Sequence, residues 1–334
     1  MGRTGTVITL SQRFQPYVLS PGALIPIPGS LLYAQIFPTL YRVFSSSREL
    51  LYEEGFSAQG PLKRFAVFQD LHRGGLIVTS EKYTYYILPT GEKVVTRKGY
   101  LPVSTTGPFL SLGVHKHMDL QKIRHRRDLK EILPLWFRMA HLMATHAREE
   151  HLDSVGTGEL LVVAHEKIKE KKKTELCDDL LAFYLSAFSY TFLPRWYDSE
   201  YQGIIDGLPE DSSIAFPLLQ YSLPVIHDIF VNQGEECVEI LPSLPPEFPC
   251  GRFVNFNLPG IGKLSIEWTK KMIRRMSLYA ETTRTIRFSF ASSLLQSRLR
   301  VWEHKSLCDS RIIPLGETIE IKVGTTYLWD CFYK

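Results

Sequence analysis

The sequence places His115 and His117 around Lys116, with Asp119 close behind in the run HKHMD, and these residue types suit metal ligation or proton transfer. Two histidines at i and i+2 without a distant third ligand make a thin metal site. No metal and no cofactor motif accompanies them, so His115, His117 and Asp119 stand as polar candidates only. A second group is acidic: Asp198, Glu200, Asp206, Glu210 and Asp211 share one glycine-containing segment. Glycoside hydrolysis needs two carboxyl groups at a defined separation across the scissile bond. A loop of acids is more often a solvated surface, and no residue is singled out as catalytic.

Aromatic side chains offer a different chemistry, because the C–H faces of sugar rings are apolar and lie flat on exposed rings. Trp196, with Tyr197 and Tyr201 beside it in PRWYDSEY, is the foremost carbohydrate-contact candidate, and Trp136 is added to it. Packing between a helix end and a sheet is the competing explanation for all four. Trp268 and Trp329 fall within strand patterns and are expected in the core, while Trp302 has no distinguishing context.

Two basic runs, 123–127 (IRHRR) and 167–173 (KIKEKKK), can meet phosphates or an acidic lipid surface. They are interleaved with Glu131, Glu166, Glu170 and Glu175 and read as solvated helix faces. Neither run has an aromatic platform beside it, which disfavours nucleic acid as a partner. There is no GxSxG, and Gly260, Ile261, Gly262 and Lys263 lack the spacing of a phosphate loop or a dinucleotide fingerprint. The five cysteines lie far apart without a CxxC pair, which argues for reduced thiols rather than a zinc site or a disulfide framework. Neither a signal-like apolar segment nor a run long enough to span a membrane is present, so the expectation is a cytoplasmic protein, export without a cleavable signal being the alternative.

These residues must be positioned by a chain of 334 residues, 44 % hydrophobic, 22 % charged and with a net charge of +4. That is ordinary soluble composition with length for more than one domain. Residues 7–112 read as strand after strand. Residues 31–44 (LLYAQIFPTLYRVF) predict one bulged or edge strand around Pro38, and further strands are expected over 65–71, 76–79, 83–88 and 93–96. From Gly113 the pattern turns helical. Asp119 is an N-cap candidate, Asp128 with Glu131 has the spacing of a second N-cap and its capping box, and Pro134 is expected to kink or restart the helix, so 119–151 reads as helical with a break. Further helices are expected over 159–173, 175–192 and 215–230. Leu180, Phe183, Tyr184, Ala187 and Phe188 form a stripe that needs a partner to bury against. Gly234 is expected to end the last helix, before a strand at Val238, Ile240 and Leu241. A hairpin joins 263–268 to 272–278, and later strands are expected near Thr285, Leu299, Ile319 and Thr326.

The expected fold is therefore mixed and mainly β. It comprises an N-terminal antiparallel sandwich over 1–114, central helices over 115–232 and a C-terminal antiparallel sandwich over 233–334.

The join between the helices and the last sandwich resembles the closing segment of (α/α)6-barrel glycoside hydrolases of the alpha-L-fucosidase and maltose-phosphorylase type. In those enzymes a helix ends in a strand like LLPALP, a glycine-bearing loop follows, and a sandwich opens with a strand like IEWKDGKLTKATI. Here 239–245 reads EILPSLP, Gly251 follows, and 265–278 reads SIEWTKKMIRRMSL. The first sandwich and the linker helices over 111–139 are similar to the corresponding parts of that family. In overall style the chain resembles hypothetical proteins of chlamydia-like bacteria. The family's catalytic carboxylates sit in its barrel. Only roughly 100 residues lie between Met139 and Val238, whereas twelve barrel helices of about 11 residues with their loops need more than about 200. The resemblance thus implies a barrel-less relative: a non-catalytic carbohydrate-binding or scaffolding protein. The alternatives are an active carbohydrate-processing enzyme with a relocated site and a protein-interaction adaptor or effector, which leaves carbohydrate or protein as the partner.

Overall fold

The computed structural model describes residues 8–58, 61–95, 107–143, 157–193, 217–290, 294–304 and 306–334. Its N-terminal part is two antiparallel sheets. β1 (Tyr17–Val18), β6 (Ala66–Gln69), β7 (Leu76–Thr79), β8 (Thr84–Ile87) and β9 (Lys93–Val94) form one, in that order. β2 (Leu24–Pro26), β3 (Tyr33–Phe37), β4 (Leu40–Phe44) and β5 (Leu50–Gly55) form the other. The segment 31–44 is a hairpin, not the single bulged strand expected. Phe37 pairs with Leu40, so Pro38 and Thr39 make the turn, where the missing proline donor removes no ladder bond. The two sheets meet through Tyr41 and Tyr85, whose ring centroids lie 6.2 Å apart, and through the Tyr83 hydroxyl, which donates to the Pro38 carbonyl.

The helical segment begins as the capping pattern predicts. Asp119 caps α1 (Leu120–Arg126), its carboxylate accepting from the Lys122 N–H at 3.2 Å. The second helix start expected at Asp128 is present, α2 (Leu129–Met143) beginning just after it; the chain turns at Arg127 in a left-handed conformation with φ 54°, whereas Pro134 lies inside α2 and does not restart the helix. Asp128 accepts from the Lys130 N–H, but Glu131 turns away from the capping box towards Arg126 and Lys116. α3 (Thr157–Lys169), α4 (Leu176–Ala187) and α5 (Pro217–Phe230) follow. The stripe on α4 finds its partner in α2. Trp136 stacks on Phe183 at 5.4 Å, lies against Tyr184 and Phe188, and donates its indole N–H to the Ser222 hydroxyl of α5 at 2.8 Å. All of these rings are fully buried.

α5 runs without a glycine stop into β11 (Val231–Gln233). Gly234 instead turns the chain into β12 (Cys237–Ile240). β11, β12, β16 (Arg284–Phe290) and β19 (Thr318–Ile321) form a four-stranded sheet in which β12 and β16 are parallel, a departure from the all-antiparallel expectation. Facing it is a seven-stranded sheet in the order β10, β13, β14, β15, β20, β17, β18. Its strands are β10 (Phe109–Ser111), β13 (Cys250–Leu258), β14 (Gly262–Thr269), β15 (Met272–Ala280), β20 (Thr326–Tyr333), β17 (Gln296–Glu303) and β18 (Ser306–Pro314). Phe288 of β16 meets Trp329 of β20 at 5.2 Å between the layers. β10 comes from the first third of the chain yet pairs with β13, Phe109 opposite Val254.

One buried cluster runs from the first sandwich through the helices to the second. Phe137 of α2 packs edge-on against Phe253 of β13, and Phe230 of α5 lies tilted against Trp268 of β14 at 5.6 Å. On the other side the buried Arg138 donates to the carbonyls of Leu71 and Pro108 and lies 4.2 Å from the centre of the Phe109 ring.

Candidate functional site

His115 and His117 lie in a groove of about 880 Å³ where residues 12–17 run beside 115–118, held by the Tyr17 N–H bonding to the Met118 carbonyl. Arg13, Lys116, Lys122 and Arg126 share it, and Tyr17 and Phe68, 5.2 Å apart, form its aromatic wall. Asp119, the third polar candidate, is committed to the α1 cap and sits 3.6 Å from Lys122. Glu131 anchors the groove from below: its almost fully buried carboxylate accepts from Arg126 and from Lys116. Burial alone would raise the Glu131 carboxyl, but the hydrogen bonds from Arg126 and Lys116 prevail and hold it below the usual range. Among the described residues no group of three His, Cys, Asp or Glu side chains is placed to hold a metal ion.

Of the aromatic candidates, Trp136 is a core residue with no exposed surface, so it offers nothing for a sugar to stack on. Trp196, Tyr197 and Tyr201 lie outside the described residues, as do Asp198, Glu200, Asp206, Glu210 and Asp211. Trp268 and Trp329 are buried, as their strand positions predict.

The aromatic site that the structure does contain is in the first sandwich, and the sequence reading missed it. Phe56 follows β5, Tyr83 and Tyr85 flank the start of β8, and Lys93 begins β9. With Ser57, Ala58, Lys82, Thr84 and Val95 they line a pocket of about 470 Å³. Phe56 stands edge-on to both Tyr83 (5.3 Å, 88°) and Tyr85 (5.5 Å, 80°). The Lys93 ammonium sits 5.2 Å from the Phe56 ring centre and 5.5 Å from that of Tyr41, and pairs with Glu54. Glu54 also accepts from the Tyr41 hydroxyl at 2.6 Å, and these bonds, Lys93 first, hold its carboxyl below the ordinary range. Among the described residues the buried Tyr85 hydroxyl has no hydrogen-bond partner, and burial pushes its pKa up, so it keeps its proton. The signal in the sequence is slight: Tyr83 and Tyr85 alternate onto one face of a short strand, next to a lone Phe56.

No family model and no curated protein matches the sequence. Among solved structures, a GH127 beta-L-arabinofuranosidase from Geobacillus stearothermophilus T6 aligns over 65 % of this chain with 9 % identity and a TM-score of 0.22. The chain spans 44 % of that enzyme's length. A likeness this slight carries no argument about fold or activity.

Proposed function

We propose that this chain is a non-catalytic carbohydrate-binding protein and that its sugar site is the Phe56, Tyr83, Tyr85 and Lys93 pocket. The observation that carries the reading is the convergence of the Phe56, Tyr83 and Tyr85 rings with the Lys93 ammonium on one pocket. Such rings receive the apolar face of a pyranose. Lys93, already beside Glu54, adds donors at the rim. The described residues lining the pocket include no carboxylate, whereas hydrolysis of a glycosidic bond calls for two. This favours binding over turnover.

Titration calorimetry against a panel of neutral mono- and oligosaccharides tests the proposal. The expected result is saturable binding to at least one sugar, abolished by Tyr83→Ala, with no reducing sugar released from fucosides, maltosides, trehalose or glycogen. Absence of binding across the panel, or binding untouched by Tyr83→Ala, overturns the site. Turnover would overturn the non-catalytic half and support the relocated enzyme instead.

A further inference from the structure

The far edge of the seven-stranded sheet is β18, a nine-residue strand that pairs with β17 on one side and with no described strand on the other. Eight of its nine residues are exposed or half-exposed, including the apolar Leu307 and Ile312, which are 48 % and 61 % exposed. A long edge with apolar side chains is a template for a further strand unless something blunts it. Charge is the usual device, and β18 carries one of each sign, Asp309 and Arg311.

These two charges have no counterpart on β17. Asp309 lies opposite Val301 and Arg311 opposite Leu299, and among the described residues the pair meet only each other along the strand, at 3.6 Å. They project on the same face, because residues two apart in a strand do so. An antiparallel strand laid on this edge would satisfy both if it presented an arginine opposite Asp309 and an aspartate opposite Arg311. β18 itself has that pattern. Two copies related by a two-fold axis through Ser310 place each Asp309 against Arg311 of the partner subunit. Slipping the axis by one residue brings like charges face to face, aspartate on aspartate or arginine on arginine, so the charges select a single register. In that register Cys308 faces Ile312 of the partner subunit, which covers the most exposed apolar side chain of the strand.

We infer that β18 is a homodimer interface, in which two copies of this chain join their seven-stranded sheets antiparallel about Ser310. The same edge-to-edge geometry would serve a foreign peptide through its backbone, but only a second copy supplies the matching charges without further assumption. The inference is independent of the sugar site.

Analytical ultracentrifugation at about 100 μM, a concentration that populates any dimer tighter than that, provides the test. The wild type is expected at twice the 38.4 kDa of one chain. Asp309→Arg and Arg311→Asp are each expected to give monomer, while the double exchange Asp309→Arg/Arg311→Asp restores the dimer. A merely structural role for either side chain would not produce that rescue. Independently, Ile312→Cys should form a disulfide with the native Cys308 of the second copy under mild oxidation, and removing Cys308 as well (Cys308→Ser/Ile312→Cys) should abolish it. A monomeric wild type, single exchanges that remain dimeric, or no cross-link from Ile312→Cys overturns the interface.

Discussion

Acidification should weaken this fold well above the pH at which its carboxylates titrate, and two histidines set the size of the effect. His141 of α2 and His227 of α5 pack against Phe137, and His227 stands edge-on to Phe256 at 4.7 Å. Among the described residues the Nδ1 atom of His141 and the Nε2 atom of His227 are buried without hydrogen-bond partners. Burial first, then the Arg138 charge, lowers His141 to about 4. Burial first, then His141, lowers His227 to about 4 against the opposing pull of Asp228. Since an unfolded imidazole titrates near 6.5, the unfolded chain binds more protons than the native one between that value and about 4. The stability these groups contribute is therefore complete above the unfolded value and is lost as pH falls through this window. Between about pH 7 and about pH 5 linkage gives a loss of about 1.8 kcal/mol per histidine, or about 3 kcal/mol for the pair once their partial exposure is discounted. His72, also lowered chiefly by burial, acts in the same direction. Glu54, Glu131, Glu267 and Asp330 are all held below their ordinary ranges, so their contribution is lost mainly at lower pH. Urea denaturation followed by tryptophan fluorescence at the two pH values measures the difference, and His141→Gln/His227→Gln should remove most of it. A wild type whose unfolding free energy changes by less than about 1 kcal/mol, or a double variant with the full wild-type slope, would refute the reasoning.

Trp136→Ala should destabilise by about 3–5 kcal/mol, since it leaves a cavity among α2, α4 and α5 and strips Ser222 of its donor, and the denaturation midpoint will show it. Glu131→Gln should cost about 1–2 kcal/mol, less than for a deeply buried pair because Arg126 and Lys116 can rehydrate, and the loss should shrink at low pH where the wild-type carboxylate is protonated. Gly251→Ala should lower stability by about 1–3 kcal/mol or more: an added Cβ would lie 2.3 Å from the buried Trp268 ring and 2.6 Å from the Ser111 carbonyl, and neither can yield cheaply. A fragment ending at Gly158 should be insoluble or molten by light scattering and urea titration, because it exposes Trp136 and Phe137 and deprives β10 of β13.

What could be read from the sequence was what neighbouring residues decide among themselves. Asp119 announces the α1 cap, and the polar Lys270–Lys271 step announces the hairpin, both lysines taking positive φ in the turn between β14 and β15. The alternation that marks β14 and β15 is equally local. Pro38 was misplaced because a proline at a strand edge and one in a two-residue turn look alike until the register is known. Pro134 reads locally as a helix break, yet it sits buried inside α2. Gly234 follows a helical pattern and so reads as a helix stop, yet the chain uses it in the β11–β12 turn. The pairing of β10 with β13 and the parallel step from β12 to β16 depend on residues far apart, which no window of sequence contains. The site divides in the same way. His115 and His117 were visible as residue types, but the convergence of Phe56 with Tyr83, Tyr85 and Lys93 arises only when β5, β8 and β9 are brought side by side.

The placement of β10 also bears on how the chain is made. Phe109 leaves the ribosome long before Val254, and at about 5–20 residues per second that interval is on the order of 10 s. During that time Phe109, Leu110 and the face of α2 that meets β13 lack their C-terminal partners. A nascent chain in this state displays an unpaired apolar strand beside a naked helix, the kind of surface that holdase chaperones shield. A strand that ties the first third of the finished chain to its C-terminal sheet is, during synthesis, an apolar segment waiting for its partner.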